Sequence, residues 1–508
     1  MLTTTGNGPL MAVVIAPAVV AALAFVFGAR APRRFGQAGA LTAGAGFLAS
    51  VALTVQSGRG ATLALPGAEF GVDRLSAVLL LLIFGVSAIV QAFAVRYLAG
   101  DPRQPWFVAG AGLLTSASAG LATASTLVSL ALCWTLAGLA LCLLLGTYWY
   151  LPAARDGVRR TATAFVIGDL ALWAAVLAAT ATWGTVDLRD LGKIDGPLVA
   201  VLGVLVVLAA LSRSAQVPFH RWLPATLAAP TPVSALLHAG VVNAGGILLI
   251  RMAPLASDDL ARALTIGAGA ATMLYGAAIM LVKPDVKGAL AHSTTAQMGF
   301  MILTCGLGLW AAAVIHLVAH GFYKATLFLS SGSAVAGSRR HESLPPPVQP
   351  DRRQMMANLV AAVAVPTAAL AAALAVVPAA SGHHASELAL LVFAWVTGGA
   401  ATWGWLRRRP GWSAALRAAA FMTPAAIAYV AIITAVGDFL APAMPAESLT
   451  AATIWAITLV ALALLGALAA IRLAPGAESL RRAVYTSALT AGHIPTPASS
   501  ALLTGGRS

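Results

Sequence analysis

Long apolar runs separated by short polar segments make up most of the chain. A run of about twenty apolar residues is what an α-helix needs to cross the hydrocarbon core of a bilayer, and about fifteen such runs can be placed here. Their approximate limits are 9–28, 38–55, 75–95, 106–124, 127–147, 161–182, 196–212, 232–253, 262–281, 288–307, 309–333, 356–377, 388–406, 418–441 and 449–471. The pattern predicts an all-α polytopic membrane protein.

The apolar pattern is interrupted most clearly between Leu211 and Met252. An apolar helix reaches Arg213, gives way to a segment with four prolines, and resumes as a second apolar helix that contains His238. Lipid cannot satisfy the backbone groups that such a break exposes, so the break must be buried in protein or line a wet cavity. We expect a discontinuous helix on an ion path. The alternative is a re-entrant loop that only joins two helices.

Composition supports the membrane assignment and limits the partners. Hydrophobic residues make up 59% of the chain and charged residues only 9%, which does not fit a soluble domain with one core. The net charge of +14 comes from basic residues spread over alternate short loops, while acidic residues occupy the opposite loops. This distribution indicates topology, with the N-terminus outside and the C-terminus cytoplasmic, rather than a nucleic-acid partner.

The three cysteines, Cys133, Cys142 and Cys305, lie inside apolar spans and have no CxxC or Cys/His spacing. They predict neither a disulfide framework nor a zinc site. We therefore expect no metal or cofactor bound by this chain.

Few ionisable residues remain inside the predicted spans, and each is a candidate for ion translocation because its burial must be offset by a partner or by water. They are Asp169, Arg213, His238, His292, His316, His320 and Lys324. His316, His320 and Lys324 recur at intervals of four and therefore share one face of a helix. Two imidazoles followed by an amine favour a proton-hopping path along that face.

Each candidate also has a purely structural interpretation. Asp169 and Arg213 can form a static ion pair between helices, and His238 or His292 can hydrogen-bond a carbonyl without any further role. An aqueous channel or a metal site could also use histidines. A metal would need a further carboxylate or thiolate, which the stripe from His316 to Lys324 lacks.

Three segments carry a resemblance to a known family: RSAQVPFHRWLPATLAAPTPVSALLHA, DVKGALAHSTTAQMGFM and HLVAHGFYKATLFLSSGS. They closely resemble the antiporter-like membrane subunits, which include the proton-pumping subunits of respiratory complex I and the large subunit of multisubunit cation/proton antiporters. The membrane subunit of the DAB inorganic-carbon uptake complex belongs to the same group. The resemblance is strong from about Asp73 to Gly332 and weak elsewhere.

This resemblance implies a multi-pass protein of the bacterial inner membrane with two inverted five-helix repeats, each with a discontinuous helix. The implied divisions are N-terminal transmembrane helices (1–105), a first inverted repeat (106–253), a second inverted repeat (254–406), C-terminal transmembrane helices (407–471) and a cytoplasmic tail (472–508).

The family's functional residues are matched position by position. Its lysine before the Ser-Ala-Gln triplet falls on Arg213, its histidine after Pro-Thr-Pro falls on His238, and its central set falls on His316, His320 and Lys324. Arg213 cannot relay a proton as a lysine can, because a guanidinium stays protonated. Where complex I and antiporter members typically carry a glutamate after the tryptophan of the fifth span, this chain has Thr135, so the expected partner of the basic group is missing.

Two further departures concern the second half of the chain. The family's exit-side lysine would fall near SGHHASEL, where His383 and His384 are candidate substitutes, although a solvated loop is the alternative. Because the chain ends soon after the fifteenth predicted span, we expect no long lateral helix of the complex I type.

These departures favour a subunit of the DAB type. The resemblance implies a transport subunit, not itself an enzyme, that uses a gradient of protons or sodium ions. It would energise a soluble or peripheral zinc-containing, carbonic-anhydrase-like partner that hydrates carbon dioxide to bicarbonate. The alternatives are a subunit of a cation/proton antiporter or of a respiratory NADH:quinone oxidoreductase, and a membrane anchor that has lost transport.

Overall fold

The computed structural model describes residues 7–58, 63–64, 70–332, 352–377, 385–408, 411–444 and 478–492, with isolated positions between 450 and 467. Nearly all of this is α-helix, which confirms the predicted fold class. Long helices bury an almost continuous apolar core in which alanine, leucine and valine predominate.

The helices follow one another with short connections. They are α1 (Asn7–Phe27), α2 (Pro32–Gly58), α3 (Arg74–Tyr97), α4 (Gln104–Thr123), α5 (Leu127–Leu145), α6 (Pro152–Trp183), α7 (Leu198–Arg213), α8 (Thr231–Ala239), α9 (Ala244–Arg251), α10 (Ala253–Ala256), α11 (Asp259–Met280), α12 (Val286–Gly306), α13 (Trp310–Leu329), α14 (Arg352–Val376), α15 (Ala385–Arg408), α16 (Trp412–Leu440) and α17 (Glu478–Ala491). Segments Phe219–Thr226 and Val241–Asn243 are 3-10 helices.

The predicted spans agree with these helices. Thirteen of the first fourteen spans each fall on one described helix, whereas span 232–253 covers α8 and α9 with a 3-10 turn between them. Most of the last span, 449–471, lies outside the described residues. Within the described ranges, 11 helical segments are long and apolar enough to cross a membrane. Helix α7 is shorter, because it ends at Arg213 where the chain breaks.

Two helices are longer than the predicted spans. Helix α6 begins at Pro152 and has 32 residues, so the basic residues from Arg155 to Arg160, which the sequence placed in a loop, are helical. At about 1.5 Å per residue the helix is roughly 48 Å long, well beyond a hydrocarbon core of about 30 Å. An ion pair between Arg160 and Asp156, one turn apart at 2.8 Å, supports the extension. Helix α2 is likewise extended to Pro32.

The polar connection before α3 contains a small sheet that the sequence did not predict. Leu63–Ala64 pairs antiparallel with Gly71–Val72. The next residue, Asp73, caps α3 by accepting a hydrogen bond from the amide of Ser76 at 2.7 Å. Arg251, at the end of α9, donates to the other Asp73 carboxylate oxygen at 2.9 Å. This pair ties the start of α3 to the end of α9.

The pKa of the Asp73 carboxyl lies below its ordinary value of 3.8. Burial raises the pKa of this carboxyl, but the charge of Arg251 and the donors of Ser76 lower it by more. Asp73 is therefore a charged anchor at the loop end of α3.

Small residues let α11 and α12 approach very closely. A Cβ added at Gly269 would lie 2.6 Å from the amide nitrogen of Leu303, and one added at Gly276 would lie 2.8 Å from Cα of Ala296. Side chains at these positions would force the backbones apart, so glycine is required here. The next helix, α13, then packs against α8, which brings Lys324 towards the interrupted segment.

Helices α7 and α14 occupy equivalent positions: each corresponds to the fourth predicted span of its predicted repeat. We expected an interruption in each repeat, but within the described residues α14 continues through Pro366 to Val376. A proline removes one backbone donor and kinks a helix without necessarily ending it. The described part of the second repeat thus holds a proline-containing helix where the first has a break.

Candidate functional site

The sequence-predicted break after α7 is present. Helix α7 ends at Arg213, Ala215 adopts a positive φ of 51°, and the 3-10 segment Phe219–Thr226 follows before α8 begins. Proline at the second position of α8 suits a helix start, where its missing N–H is not needed. The backbone therefore places Arg213 at a buried helix end, facing the helices that surround it.

Arg213 is held from several sides. Its side chain is 1% exposed, and one terminal nitrogen, Nη2, lies 2.7 Å from Asp169 Oδ1 on α6. Nη1 donates to the carbonyl of Trp134 on α5 at 3.1 Å. The guanidinium also lies over the rings of Trp134 and Phe165, at 4.3 and 4.1 Å from their centroids. This is a fixed, charge-compensated arginine.

Asp169 supplies the carboxylate that the sequence led us to consider missing. Position 135 on α5 is a threonine, but Asp169 reaches Arg213 from the adjacent helix, and its Oδ1 also accepts a hydrogen bond from Trp134 Nε1 at 2.8 Å. Thr135 instead accepts from Trp173 at 3.1 Å. The static ion pair between Asp169 and Arg213 that the sequence suggested is therefore present, and the inference of a missing partner was wrong.

A second interruption, which the sequence did not predict, splits the span after Pro230. Helix α8 ends at Ala239, Gly240 leaves helical geometry, and α9 begins at Ala244. The freed carbonyls are satisfied by side chains: Ser214 donates to Val242 O at 2.6 Å, and Asn243 donates to Ala239 O at 2.8 Å. Side-chain donors of this kind are what a membrane interior requires at a broken helix.

A cavity of about 60 Å³ lies at this break. Arg213 lines one side, and Gly240, Asn243, Ser87 and Thr115 contribute to the rest. A cavity of this size has room for about two water molecules beside these polar groups, although most of its wall is apolar. It lies between Arg213 and the end of α8.

The stripe on α13 begins at a much larger cavity. An open cavity of about 720 Å³ is bordered by residues of helices α11 to α16, and His316 and Gln297 are polar groups on its wall. His316 Nε2 and Gln297 Oε1 have no hydrogen-bond partner among the described residues. The His316 ring lies 5.7 Å from the ring of His320, with the two planes 23° apart. His316 thus connects an open space to the buried His320.

Lys324 continues the stripe one turn further along. Its side chain is fully buried, and Nζ donates to Ser293 Oγ on α12 at 2.9 Å and to Leu290 O at 3.4 Å. Within the described ranges no carboxylate lies within ion-pairing distance of this amine. A buried amine bound only to neutral acceptors can exist with or without its proton, whereas Arg213 is fixed in the charged form.

His238 on α8 approaches the same part of α12. Its Nδ1 lies 3.1 Å from the hydroxyl of Thr294, the neighbour of Ser293, and its ring stacks on Phe328 of α13 at 4.2 Å. The sequence suggested a carbonyl as the alternative partner, but the partner is a hydroxyl. Two consecutive hydroxyls of α12 therefore separate Lys324 from His238.

His292 precedes Ser293 and Thr294 on α12, but its ring faces Tyr275 of α11. It is 1% exposed, and neither ring nitrogen has a hydrogen-bond partner within the part of the chain that the structure describes. Its ring lies 6.3 Å from that of Tyr275 on α11. Within that part of the chain, His292 therefore makes no hydrogen bond to a carbonyl of the kind that the sequence suggested. His383 and His384 lie outside the described residues.

Two sets of candidates result. The first is the pair Asp169 and Arg213, and the second is the succession His316, His320, Lys324 and His238. Sequence reasoning missed Ser293 and Thr294, whose hydroxyls contact Lys324 and His238 respectively. The only signal was the hydroxyl run after His292, and such runs are common in membrane helices. Among the described residues, no group of three or more His, Cys, Asp or Glu side chains could hold a metal ion.

Comparison with known families identifies the class to which this arrangement belongs. Residues 124–406 match the family described as NADH:quinone oxidoreductase/Mrp antiporter, TM, and residues 67–108 match NADH-ubiquinone oxidoreductase (complex I), chain 5 N-terminus. The first match covers more than half of the chain. The chain belongs to this family of antiporter-like membrane subunits.

Individual curated relatives show which members of the family the chain resembles. A probable inorganic carbon transporter subunit DabB1 from Halothiobacillus neapolitanus is 35% identical over 349 residues, which cover 64% of this chain and 62% of the relative. The NAD(P)H-quinone oxidoreductase chain 5 of Synechocystis is 34% identical over 278 residues, covering 52% of this chain and 41% of the relative. The chain thus spans less than two thirds of the length of these curated relatives.

A solved structure, that of the Mrp complex from Dietzia, has the same fold. The TM-score is 0.59 at 22% sequence identity, and the match covers 95% of this chain and 60% of the other. This similarity confirms the architecture and carries no information about activity. Family and fold together establish a multi-pass, antiporter-like membrane protein.

Proposed function

We propose that this chain translocates protons through His316, His320, Lys324 and His238. The observation that carries this proposal is the succession of titratable and hydroxyl groups from the cavity at His316 to the broken helix. His316, His320 and Lys324 share one face of α13, and Lys324 and His238 each contact one of two consecutive hydroxyls of α12. Such a succession of proton-exchanging groups is the requirement for proton hopping.

In this proposal the first set has a different role. The guanidinium of Arg213 keeps its charge, and Asp169, Trp134 and Phe165 fix its position. A fixed positive charge beside the small cavity at Gly240 sets the potential that a proton meets near His238. Arg213 and Asp169 therefore bias the path electrostatically without carrying protons themselves.

We further propose that the cation gradient energises inorganic-carbon uptake by a partner subunit. The support is the similarity to a protein named as an inorganic carbon transporter subunit. The zinc chemistry that hydrates carbon dioxide would then reside in the partner, a soluble or peripheral carbonic-anhydrase-like subunit, and this chain would bind no cofactor. Copurification of a zinc-containing soluble subunit with this chain tests the assignment, and its absence from the purified complex would contradict it.

The decisive experiment on the path replaces Lys324 or His320 by alanine. Loss of a proton-transferring group typically costs about a hundredfold or more in rate, so we expect proton flux and bicarbonate accumulation by cells to fall by roughly that factor. The matched control is Thr326→Val, on the exposed side of the same helix. Unchanged bicarbonate accumulation in Lys324→Ala and His320→Ala would refute the proposal.

The similarity to a quinone oxidoreductase subunit supports a second candidate, a subunit of a respiratory complex or of a cation/proton antiporter. Copurification with quinone-reducing activity would favour the respiratory complex. Sodium-dependent proton exchange in vesicles would favour the antiporter. To distinguish protons from sodium ions, bicarbonate accumulation is measured with either a proton gradient or a sodium gradient imposed. Only the gradient of the transported ion should drive accumulation.

A further inference from the structure

A cluster of aromatic and imidazole rings lies beside the path but outside it. His220, in the 3-10 segment after Arg213, packs its ring edge-to-face on Tyr275 of α11 at a centroid distance of 4.5 Å. Tyr275 in turn lies 6.3 Å from His292 on α12. Three separate elements therefore bring one ring each to the same place.

Three imidazole nitrogens of this cluster are unsatisfied within the described residues. His220 Nδ1 and both nitrogens of His292 are buried and lack a hydrogen-bond partner within the described ranges. Buried polar groups are nearly always hydrogen-bonded, so each exception requires a reason. Water molecules that enter and leave a narrow passage would satisfy such atoms in turn.

The cluster reaches the same turn of α12 that contacts Lys324. His292 is followed by Ser293, whose hydroxyl accepts from Lys324 at 2.9 Å. The His292 ring points towards Tyr275 rather than towards this hydroxyl, so a proton that reached His292 would need water to continue to Lys324. At its other end the cluster is half-buried and lies beside the exposed Arg221.

A helix from the tail packs against Tyr275, on the half-buried side of the cluster. Helix α17 docks on α11 through its last turns: the Tyr275 hydroxyl donates to Ala491 O at 3.1 Å, and Gly492 packs against Ile279. Ala488, one turn before, is 7% exposed, whereas Ala483 on the opposite side is exposed. The contact is small, so α17 can be displaced without unfolding the bundle.

We propose that His220, Tyr275 and His292 form an access branch to Lys324 and that helix α17 is the lid over its mouth. The proton-conducting part of this statement rests on the proposed function. The lid is a separate physical claim, because it concerns only whether the branch is open to water. Tyr275 takes part in both the branch and the lid, because its ring contacts His220 and His292 and its hydroxyl binds Ala491 of α17.

The first experiment measures water access without measuring transport. His292 is replaced by cysteine in a chain whose three native cysteines are alanine, and a membrane-impermeant thiol reagent is applied to the solubilised complex. Ala488→Asp places an unpaired carboxylate in the docking face and should raise the labelling rate by about tenfold or more. The matched control, Ala483→Asp on the exposed face, should change it by less than about twofold.

A milder variant guards against loss of folding. Tyr275→Phe keeps the ring and removes only the hydrogen bond to Ala491, which should raise the labelling rate about threefold. Equal labelling rates in Ala488→Asp, Tyr275→Phe and the Ala483→Asp control would overturn the lid. Faster labelling only in the two docking-face variants would support it.

The second experiment tests conduction. His220→Gln and His292→Gln should each lower proton flux by about tenfold or more if the branch carries protons. If Lys324→Ala abolishes flux while both glutamine variants conduct normally, the branch is wrong and the proposed function stands. If the docking-face variants expose position 292 but Lys324→Ala conducts normally, the lid stands and the proposed function fails.

Discussion

Replacing Asp169 by asparagine removes the carboxylate that compensates the buried guanidinium of Arg213. Breaking a buried ion pair by deleting one partner typically costs 3–5 kcal/mol, because the remaining charge is left uncompensated. Two features reduce the cost: Asp169 is 18% exposed, and Arg213 keeps its bond to Trp134 and its position over two aromatic rings. We therefore expect a loss of about 3 kcal/mol in the free energy of unfolding.

The measurement is unfolding of the purified protein in mixed micelles by titration with a denaturing detergent. Arg213→Met removes the charge but leaves Asp169 with the donor of Trp134, and should cost about 2 kcal/mol. The double variant Asp169→Asn/Arg213→Met removes both charges and should lie within about 1 kcal/mol of the native protein. The control is Asp156→Asn, which breaks the more exposed pair with Arg160 and should cost under about 0.5 kcal/mol.

The double variant decides the matter. If it is no more stable than the Asp169→Asn single variant, the cost does not come from an uncompensated charge. An Asp169→Asn variant as stable as the Asp156→Asn control would likewise refute the reasoning, since the ion pair would then behave as one at the surface.

Two further predictions follow from contacts elsewhere in the fold. Gly138→Ala would place a Cβ 2.9 Å from Nη2 of Arg213 and should lower the free energy of unfolding by about 1–2 kcal/mol. Gly44 lies in open space on α2, so Gly44→Ala should instead raise it by about 0.5 kcal/mol. Both are measured by the same detergent titration. The pKa of Asp73 is lowered in the folded protein, so its contribution to stability is present above the unfolded value of 3.8 and is lost as the pH falls through the folded pKa. Unfolding measured between pH 6 and pH 3 should therefore show a larger loss of stability in the native protein than in Asp73→Asn, and equal losses would show that Arg251 does not stabilise the charged carboxyl.

Most of the fold was predictable because each transmembrane helix satisfies its own backbone. A stretch such as α3 or α5 has to be helical wherever it lies in the bilayer, so its apolar run alone predicts it. The break at Arg213 was predictable for the same reason, since prolines in a span leave carbonyls that need other donors. The break at Gly240 was not. One of its donors, Asn243, is local, but the other, Ser214, reaches the break only after α7 packs against α9.

The candidate site was predictable only in part. The spacing of His316, His320 and Lys324 places them on one face of a helix, and the ring distance between the two histidines agrees with that. The sequence offered Asp169 as one possible partner of Arg213, but the family pattern indicated a missing partner because Thr135 stands where a carboxylate was expected. Asp169 lies on the next helix, and its approach to Arg213 depends on how α5, α6 and α7 pack together.

The sequence by itself therefore determined the membrane class, the helical spans, the first interruption and the small set of ionisable residues in the bilayer. Each of these depends on a local property, either apolar length or the cost of placing a polar group in lipid. Only the tertiary structure decided which of those groups meet. Arg213 became a fixed charge through Asp169, and Lys324 and His238 came to contact the consecutive hydroxyls of Ser293 and Thr294, because these contacts link helices that are distant in sequence.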